Sequence, residues 1–312
     1  TDSCTNTQTF HARERAFNKR FDSAFDLGDK LRGLAGQDGI PKARDLIHMA
    51  RSSLSNMLGG IGYWHGKYIV NRGDSPQEGA DERGPVSLFS GVPSRAKFPR
   101  GFLWDEGFHQ LLVAKFDAPV SQDIILHWLV GAMDRATGWI PREQIVGEEA
   151  RSRVPGEFVA QTKSHTNPPA MVLQVQNFAR AAMERGDVQD DKFLSLALPA
   201  VRRWQQYLQA SQCGGGEDCA ANATLRGDAP LYRWRSRNGY HLLASGLDDY
   251  PRPHCKHHWK ELHLDLYCWA ALMNATLGDI AGTGTDAHRA AWERQLVNVH
   301  WDEGRQQFSD VT

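Results

Sequence analysis

The residues able to do chemistry in this 312-residue sequence gather in a few stretches where acidic side chains stand beside Trp, Tyr, Arg and Pro. They are Phe98 to His109, Gly138 to Gln144, Thr166 to Pro169, Tyr232 to Arg235, Ala244 to Arg252 and Glu261 to Asp265. Sugars offer apolar C–H faces that stack on aromatic rings, and dense hydroxyls that need charged or amide partners. These stretches supply both. Cleaving a glycosidic bond also needs a carboxylic acid to protonate the departing oxygen and a carboxylate to activate water or attack the anomeric carbon. Asp248 and Asp249 are the leading pair, set in a Gly-led turn that Pro251 ends. Adjacent carboxylates raise one another's pKa, which suits a proton donor. The alternative for the same residues is a turn that solvates itself. Glu261 and Asp265, four apart, share a helix face as a solvated pair or as acceptors for sugar hydroxyls. Trp104-Asp105-Glu106 opens a helix, where acidic residues complement the dipole or, with the neighbouring aromatics, form part of a site.

Other chemistries find less support. His254, Cys255, His257 and His258 cluster, but no second ligand group stands at zinc-finger spacing and Pro253 interrupts the segment, so no metal is expected. Neither a Gly-x-Ser-x-Gly elbow nor a phosphate-cradling glycine loop occurs, and Gly59-Gly60-Ile61-Gly62 lacks the context of a dinucleotide fingerprint. The expectation is an enzyme without a cofactor. With 36 Lys and Arg against 37 Asp and Glu, the net charge of −1 gives no global basic field for nucleic acid. Apolar runs fall short of the roughly 18 residues a membrane span needs.

Five cysteines include Cys213 and Cys219, which bracket a floppy GGGED loop and are expected to pair. The sequons at Asn222 and Asn274 fit the same oxidising, glycosylating compartment. The opening segment has no signal-peptide pattern and does not begin with Met, so the chain is expected to be mature or cut from something longer.

Helix-period segments must position these residues: Pro41 to Leu58, Trp104 to Phe116, Val120 to Met133, Pro168 to Met183, Asp191 to Leu208, Glu261 to Leu277 and Asp286 to Val297. Long connections rich in Gly, Pro, Arg and Trp separate them, over Val70 to Gly101, Thr137 to Asn167 and Gln212 to Lys260. Strand signals are limited to runs such as Ile61 to Val70, so the expected class is all-α, built from helical hairpins with long functional loops.

The segments LSNMLGGIGYWHGK, VPSRAKFPRGFLWDEGFHQLL, GWIPREQI, GEEARSRVP, NPP, YRWR, LASGLDDYPRP and ELHLDL, in this order, resemble the processing α-glucosidases of glycoside hydrolase family 63. Trp104-Asp105, Gly138 to Pro141 and Leu247-Asp248 with Arg252 are more loosely similar to trehalases. The resemblance implies an (α/α)6 toroid of which residues 1–312 form an incomplete catalytic portion, with no separate second domain. It implies inverting hydrolysis of the terminal α-1,2-linked glucose of the triglucosylated N-glycan precursor in the endoplasmic reticulum lumen. The partner is then an N-linked oligosaccharide, and the family's membrane anchor is expected to lie outside this chain. Carried over by position, Asp248 matches the general acid, with Asp249 a rival, while the general base is expected in a downstream segment that this sequence does not contain. Trp104, Asp105, Glu106, Arg142, Glu143, Asn167, Trp234, Arg252, Glu261 and Asp265 match substrate-binding positions. A chain carrying the acid without the base has a second reading, a non-catalytic glycan-binding fragment.

Overall fold

Apolar spacing of three and four builds most of the chain into helices. The computed structural model describes residues 2–31, 42–74, 76–188, 191–214, 229–236, 241–247, 250, 252 and 260–311. Asp248, Asp249, Cys219, Asn222, His254, Cys255, His257 and His258 lie outside these residues.

The chain opens on α1 (Asp2–Phe25), followed by the short α2 (Leu27–Lys30) and by α3 (Ala43–Leu58). Phe17, Phe21 and Phe25 recur every four residues on α1, and the Phe17 ring lies 5.3 Å from Phe116. Helix α4 (Leu103–Phe116) turns through Asp117 into α5 (Ala118–Leu126), whose first turn is capped by the Asp117 carboxylate accepting from Val120 N. A π turn over His127–Ala132 continues α5 and ends at extended Met133, where a single helix to Met133 was expected. After the short helices α6 (Gly147–Arg151) and α7 (Gly156–Val159) come α8 (Met171–Arg185), α9 (Lys192–Ser211), α10 (Leu264–Ala281) and α11 (Asp286–His300). Asp191 caps α9 and Thr285 caps α11, each accepting from the backbone N–H three residues on.

Helices α4, α8 and α10 pack side by side in chain order, α8 touching both of the others. Each is followed by a helix that packs back on it: α5 on α4, α9 on α8, α11 on α10. Their shared core is aromatic and aliphatic, with Trp128, Trp139, Trp204, Ile124, Val175 and Met273 fully buried. A second core joins Tyr232, Trp234, Leu242 and Ala244 to Tyr267 and Trp292 of α10 and α11. It anchors the loops between α9 and α10.

The helical class expected from sequence holds for most of the chain, and a long hairpin adds to it. Strands β1 (Gly62–Asn71) and β2 (Ala80–Ser90) pair antiparallel from Gly62↔Ser90 to Asn71↔Ala80, so the segment after Val70 is not the loop that was expected. Tyr63, His65 and Lys67 face outward while Trp64, Gly66 and Tyr68 turn inward, the period of two that a half-buried strand demands. The register shifts between Gly66 and Tyr68, opposite Gly84-Pro85, a place where a residue lacking an N–H costs the ladder little. A short parallel strand β5 (Ala160–Gln161) completes the sheet in the order β2-β1-β5. A separate ribbon pairs β3 (Gly101–Phe102) with β4 (Glu143–Gln144), and β6 (Trp301–Asp302) pairs with β7 (Gln307–Phe308) after α11.

The closest approach between α4 and α8 is set by Gly107. A Cβ there would lie 2.5 Å from both the carbonyl carbon and the Cβ of Ala170, and closer still to the amide nitrogen of Met171. Backbone cannot yield as a flexible side chain can. Gly107→Ala is therefore expected to destabilise the fold by about 1–3 kcal/mol, the usual cost of overpacking. Urea unfolding would measure it, and an unchanged midpoint would show that the start of α8 adjusts freely.

Candidate active site

The ribbon of β3 and β4 begins the site. It lays Arg142 and Glu143 beside Phe102 and Leu103 at the start of α4, with Leu103 N donating to Arg142 O at 3.0 Å. Glu143 is 4% exposed, and its carboxylate is shared between two guanidiniums, Arg100 Nε at 2.6 Å and Arg142 Nη2 at 2.9 Å. Arg100 in turn lies 4.6 Å from the Phe102 ring centre and 5.5 Å from that of Phe98. A charge this buried is tolerable because it is paired twice. Both of its oxygens are occupied, so Glu143 fixes the orientation of its neighbours.

Helix α4 then presents Trp104 and Asp105 on its first turn. The Trp104 indole meets Phe108 edge-on at 4.8 Å and Trp269 of α10 at 5.9 Å. A turn over Leu243–Ser245 comes up against the same indole. Gly246 ends it at φ +77°, and a Cβ there would meet the Trp104 ring at 2.8 Å, so both backbone and space require glycine. Asn167, just ahead of the two prolines that lead into α8, donates its amide to Ala244 O at 2.9 Å. Arg142 Nη1 reaches Leu243 O at 3.4 Å.

These parts enclose a cleft of about 470 Å³. Trp104, Asp105, Arg142, Glu143 and Asn167 line it, five of the residues expected from sequence. Phe98, Phe102, Phe158, Pro93 and Pro155 add apolar wall, and Arg100, Leu243 and Gly246 close the rest. The volume lies within the roughly 300–1,000 Å³ of small-molecule sites. Aromatic faces beside charged and amide groups suit a polyhydroxylated ring.

The other expected residues stand elsewhere. Glu106 is fully buried and does not line this cleft: it accepts from Gly91 N at 3.1 Å and from Gln110 Nε2 at 2.5 Å, and bonds His109 Nδ1 at 3.0 Å. A 3.6-residue period turns it inward where Asp105 faces out. Trp234, Arg252, Glu261 and Asp265 form a second network at the start of α10. Arg252 Nη2 donates to Asp265 Oδ2 at 2.9 Å, and the same oxygen accepts from Trp234 Nε1 at 3.0 Å. The backbone N–H of Trp234 donates to His263 Nδ1 at 2.9 Å, which leaves the ring proton on Nε2, 3.5 Å from Glu261 Oε2. Trp269, one turn beyond Asp265 on α10, reaches Trp104 beside the cleft.

Two positions expected to be modified fall among the described residues. Cys213 is held in a disulfide, while Cys219, its expected partner, is outside them. Asn274 lies mid-helix in α10 with its amide oxygen accepting from Gln205 of α9 at 3.2 Å, and Thr276 of the same sequon is fully buried. A glycan there would displace that contact. Sequence reasoning missed Arg100, Phe98 and Phe102 as individual site residues, although it singled out the stretch that holds them. Asp310, which donors from Arg252 and Leu264 both reach, carries no sequence signal.

Across residues 2–312 the chain matches the model of the glycosyl hydrolase family 63 C-terminal domain. It is 36% identical over 277 residues to a mannosyl-oligosaccharide glucosidase of Arabidopsis thaliana, covering 83% of this chain and 29% of that protein. It is 33% identical over 281 residues to alpha-glucosidase 2 of the same plant, covering 85% of this chain and 32% of the relative. With the mannosyl-oligosaccharide glucosidase of Saccharomyces cerevisiae the identity is 32% over 346 residues, 95% of this chain and 41% of the other. The chain thus spans about a third of the length of the curated relatives it matches.

His109 reports on the first turn of α4. Burial disfavours its charged form, but the hydrogen bond to Glu106 and the charges of Glu106 and Asp105 outweigh that and hold its pKa above the usual imidazole range. A raised histidine stabilises the fold fully below its unfolded pKa of about 6.5, and that contribution is lost as pH rises through the higher folded value. His109→Gln is expected to lower the thermal midpoint most near pH 5.5 and progressively less toward about pH 8.5. A deficit that widens with rising pH would contradict the pairing.

Proposed function

Because this chain belongs to glycosyl hydrolase family 63, we propose that it forms the sugar-binding and acid-bearing part of an inverting α-glucosidase. Its substrate in this reading is the terminal α-1,2-linked glucose of the triglucosylated N-glycan precursor, trimmed in the endoplasmic reticulum lumen. The disulfide at Cys213 supports an oxidising compartment. The successive pairs α4/α5, α8/α9 and α10/α11 are read as consecutive hairpins of an (α/α)6 toroid.

One observation carries the reading: the cleft where Trp104, Asp105, Arg142, Glu143 and Asn167 meet Gly246. Asp248 follows Gly246 by two residues, a reach of at most about 7 Å of extended chain. Terminal glucose stacks against Trp104, and Asp105, Arg142 and Asn167 take its hydroxyls. Asp248 gives its proton to the glycosidic oxygen as the bond to the anomeric carbon breaks. Water attacks the opposite face, and a second carboxylate takes its proton. For inversion the two carboxyls stand roughly 6.5–9.5 Å apart, leaving room for that water. The second carboxylate is assigned to a segment of the enzyme outside this sequence.

In the full-length protein, Asp248→Asn is expected to lower glucose release from a glucosylated oligosaccharide at least about a hundredfold, the lower range for losing a general acid. Stability at neutral pH should be unchanged or slightly higher. Retained activity with clear destabilisation would make Asp248 a turn carboxylate and pass the acid role to Asp249. Calorimetric binding of an α-1,2-linked glucose disaccharide without any turnover would favour a glycan-binding protein instead.

A further inference from the structure

Arg252 is 3% exposed. A guanidinium cannot shed its proton, so at that depth its charge must be met by partners. Asp265 Oδ2 stands 2.9 Å from Nη2 and Asp310 Oδ2 stands 2.5 Å from Nη1. The second of these does more than balance charge. The other oxygen of Asp310 accepts from Leu264 N at 2.9 Å, and Leu264 is the first residue of α10, whose own N-cap His263 supplies no side-chain cap. One carboxylate from 46 residues downstream thus satisfies an orphan donor of α10 and grips Arg252 at once. Its backbone is fixed in turn, since Leu262 and Val311 exchange hydrogen bonds of 3.0 and 2.9 Å.

We propose that Asp310 is a positioning residue for the hydrolytic step, acting by fixing the Arg252 guanidinium against the start of α10. This rests on the reading that the general acid is Asp248 or Asp249. Arg252 follows Asp248 by four residues and Asp249 by three, so at most about 14 Å of extended chain separates either from that fixed residue. Asp310 touches no sugar and transfers no proton. Replacing it with Asn leaves Asp265 to balance Arg252, so the charge stays paired. A side-chain amide can keep the cap on Leu264 through its oxygen, but it then turns N–H groups toward Nη1, donor against donor. The grip is lost while the helix cap survives.

The test uses the full-length protein and two substrates: an α-1,2-linked glucose disaccharide, whose departing alcohol needs a proton, and α-glucosyl fluoride, whose fluoride does not. Asp310→Asn is expected to cut kcat on the disaccharide about tenfold, below the ~10²-fold loss for the acid itself, and to leave the fluoride nearly untouched. Equal losses on both substrates, or none on either, would overturn the proposal. Asp248→Asn and Asp249→Asn are run beside it. If one of them discriminates between the substrates and Asp310→Asn does not, the positioning role fails and the acid reading stands. If neither discriminates, the acid reading fails and the proposal falls with it. Discrimination by Asp249→Asn together with Asp310→Asn supports the proposal, because Asp249, like Asp248, stands within four residues of Arg252 in sequence.

Discussion

A carboxylate buried between two guanidiniums is the constraint on which the cleft depends. Glu143 can keep its charge out of water only while Arg100 and Arg142 both remain in place, and each of those is fixed by something else. Arg100 lies against Phe98 and Phe102, while Arg142 reaches the Leu243 carbonyl. Breaking a buried pair by removing one partner is far more costly than never having built it. Ribbon, aromatic wall and the turn before the aspartates are therefore coupled through one side chain. The arrangement stabilises little by itself compared with an apolar core, but it excludes alternative placements of the loops around it.

Those loops meet because α4, α8 and α10 all present their N-terminal ends to the same region. Asp105 lies in the first turn of α4, Asn167 just ahead of α8, and Asp265 in the first turn of α10. Helix N-termini carry unpaired N–H groups and positive potential, which favours carboxylates and hydroxyl oxygens there. The tight contact at Gly107 brings the first two of these ends together, and Trp104 against Trp269 brings in the third. Packing between helices thus decides how close these side chains stand.

The helices of this chain are legible in its sequence where one face is apolar, as over Met171–Arg185 and Lys192–Ser211. Strand β2 was not, because ADERGP opens it with charges and a proline, and only Val86, Phe89 and Leu88 hint at a buried edge. Helix α1 was overlooked for a related reason. Its Phe17, Phe21 and Phe25 are spaced for a helix, but the surrounding residues are polar enough to read as a tail. Composition picked out the right stretches for the cleft without separating neighbours within them. Asp105 and Glu106 differ only in which side of one helical turn they occupy, and burial alone tells them apart. Asp310 illustrates the limit, since its partners are distant in sequence and nothing local distinguishes a carboxylate that caps a helix from one that faces water.

Proton donation, finally, is a role defined by what a carboxyl lacks. Glu106 is met by Gly91, His109 and Gln110; Glu143 by two arginines; Asp265 by Arg252 and Trp234; Asp310 by Arg252 and Leu264. Donors of this kind hold a carboxylate in one orientation. A group surrounded by them serves as a fixed acceptor. A general acid has the opposite need, a carboxyl whose surroundings disfavour its charge until substrate arrives. The acid role proposed above stays with the pair that the sequence singles out, Asp248 and Asp249. The held carboxylates fix the frame: Glu143 ties the ribbon to the turn before Gly246 through Arg142, and Asp265 and Asp310 tie Arg252 to the start of α10.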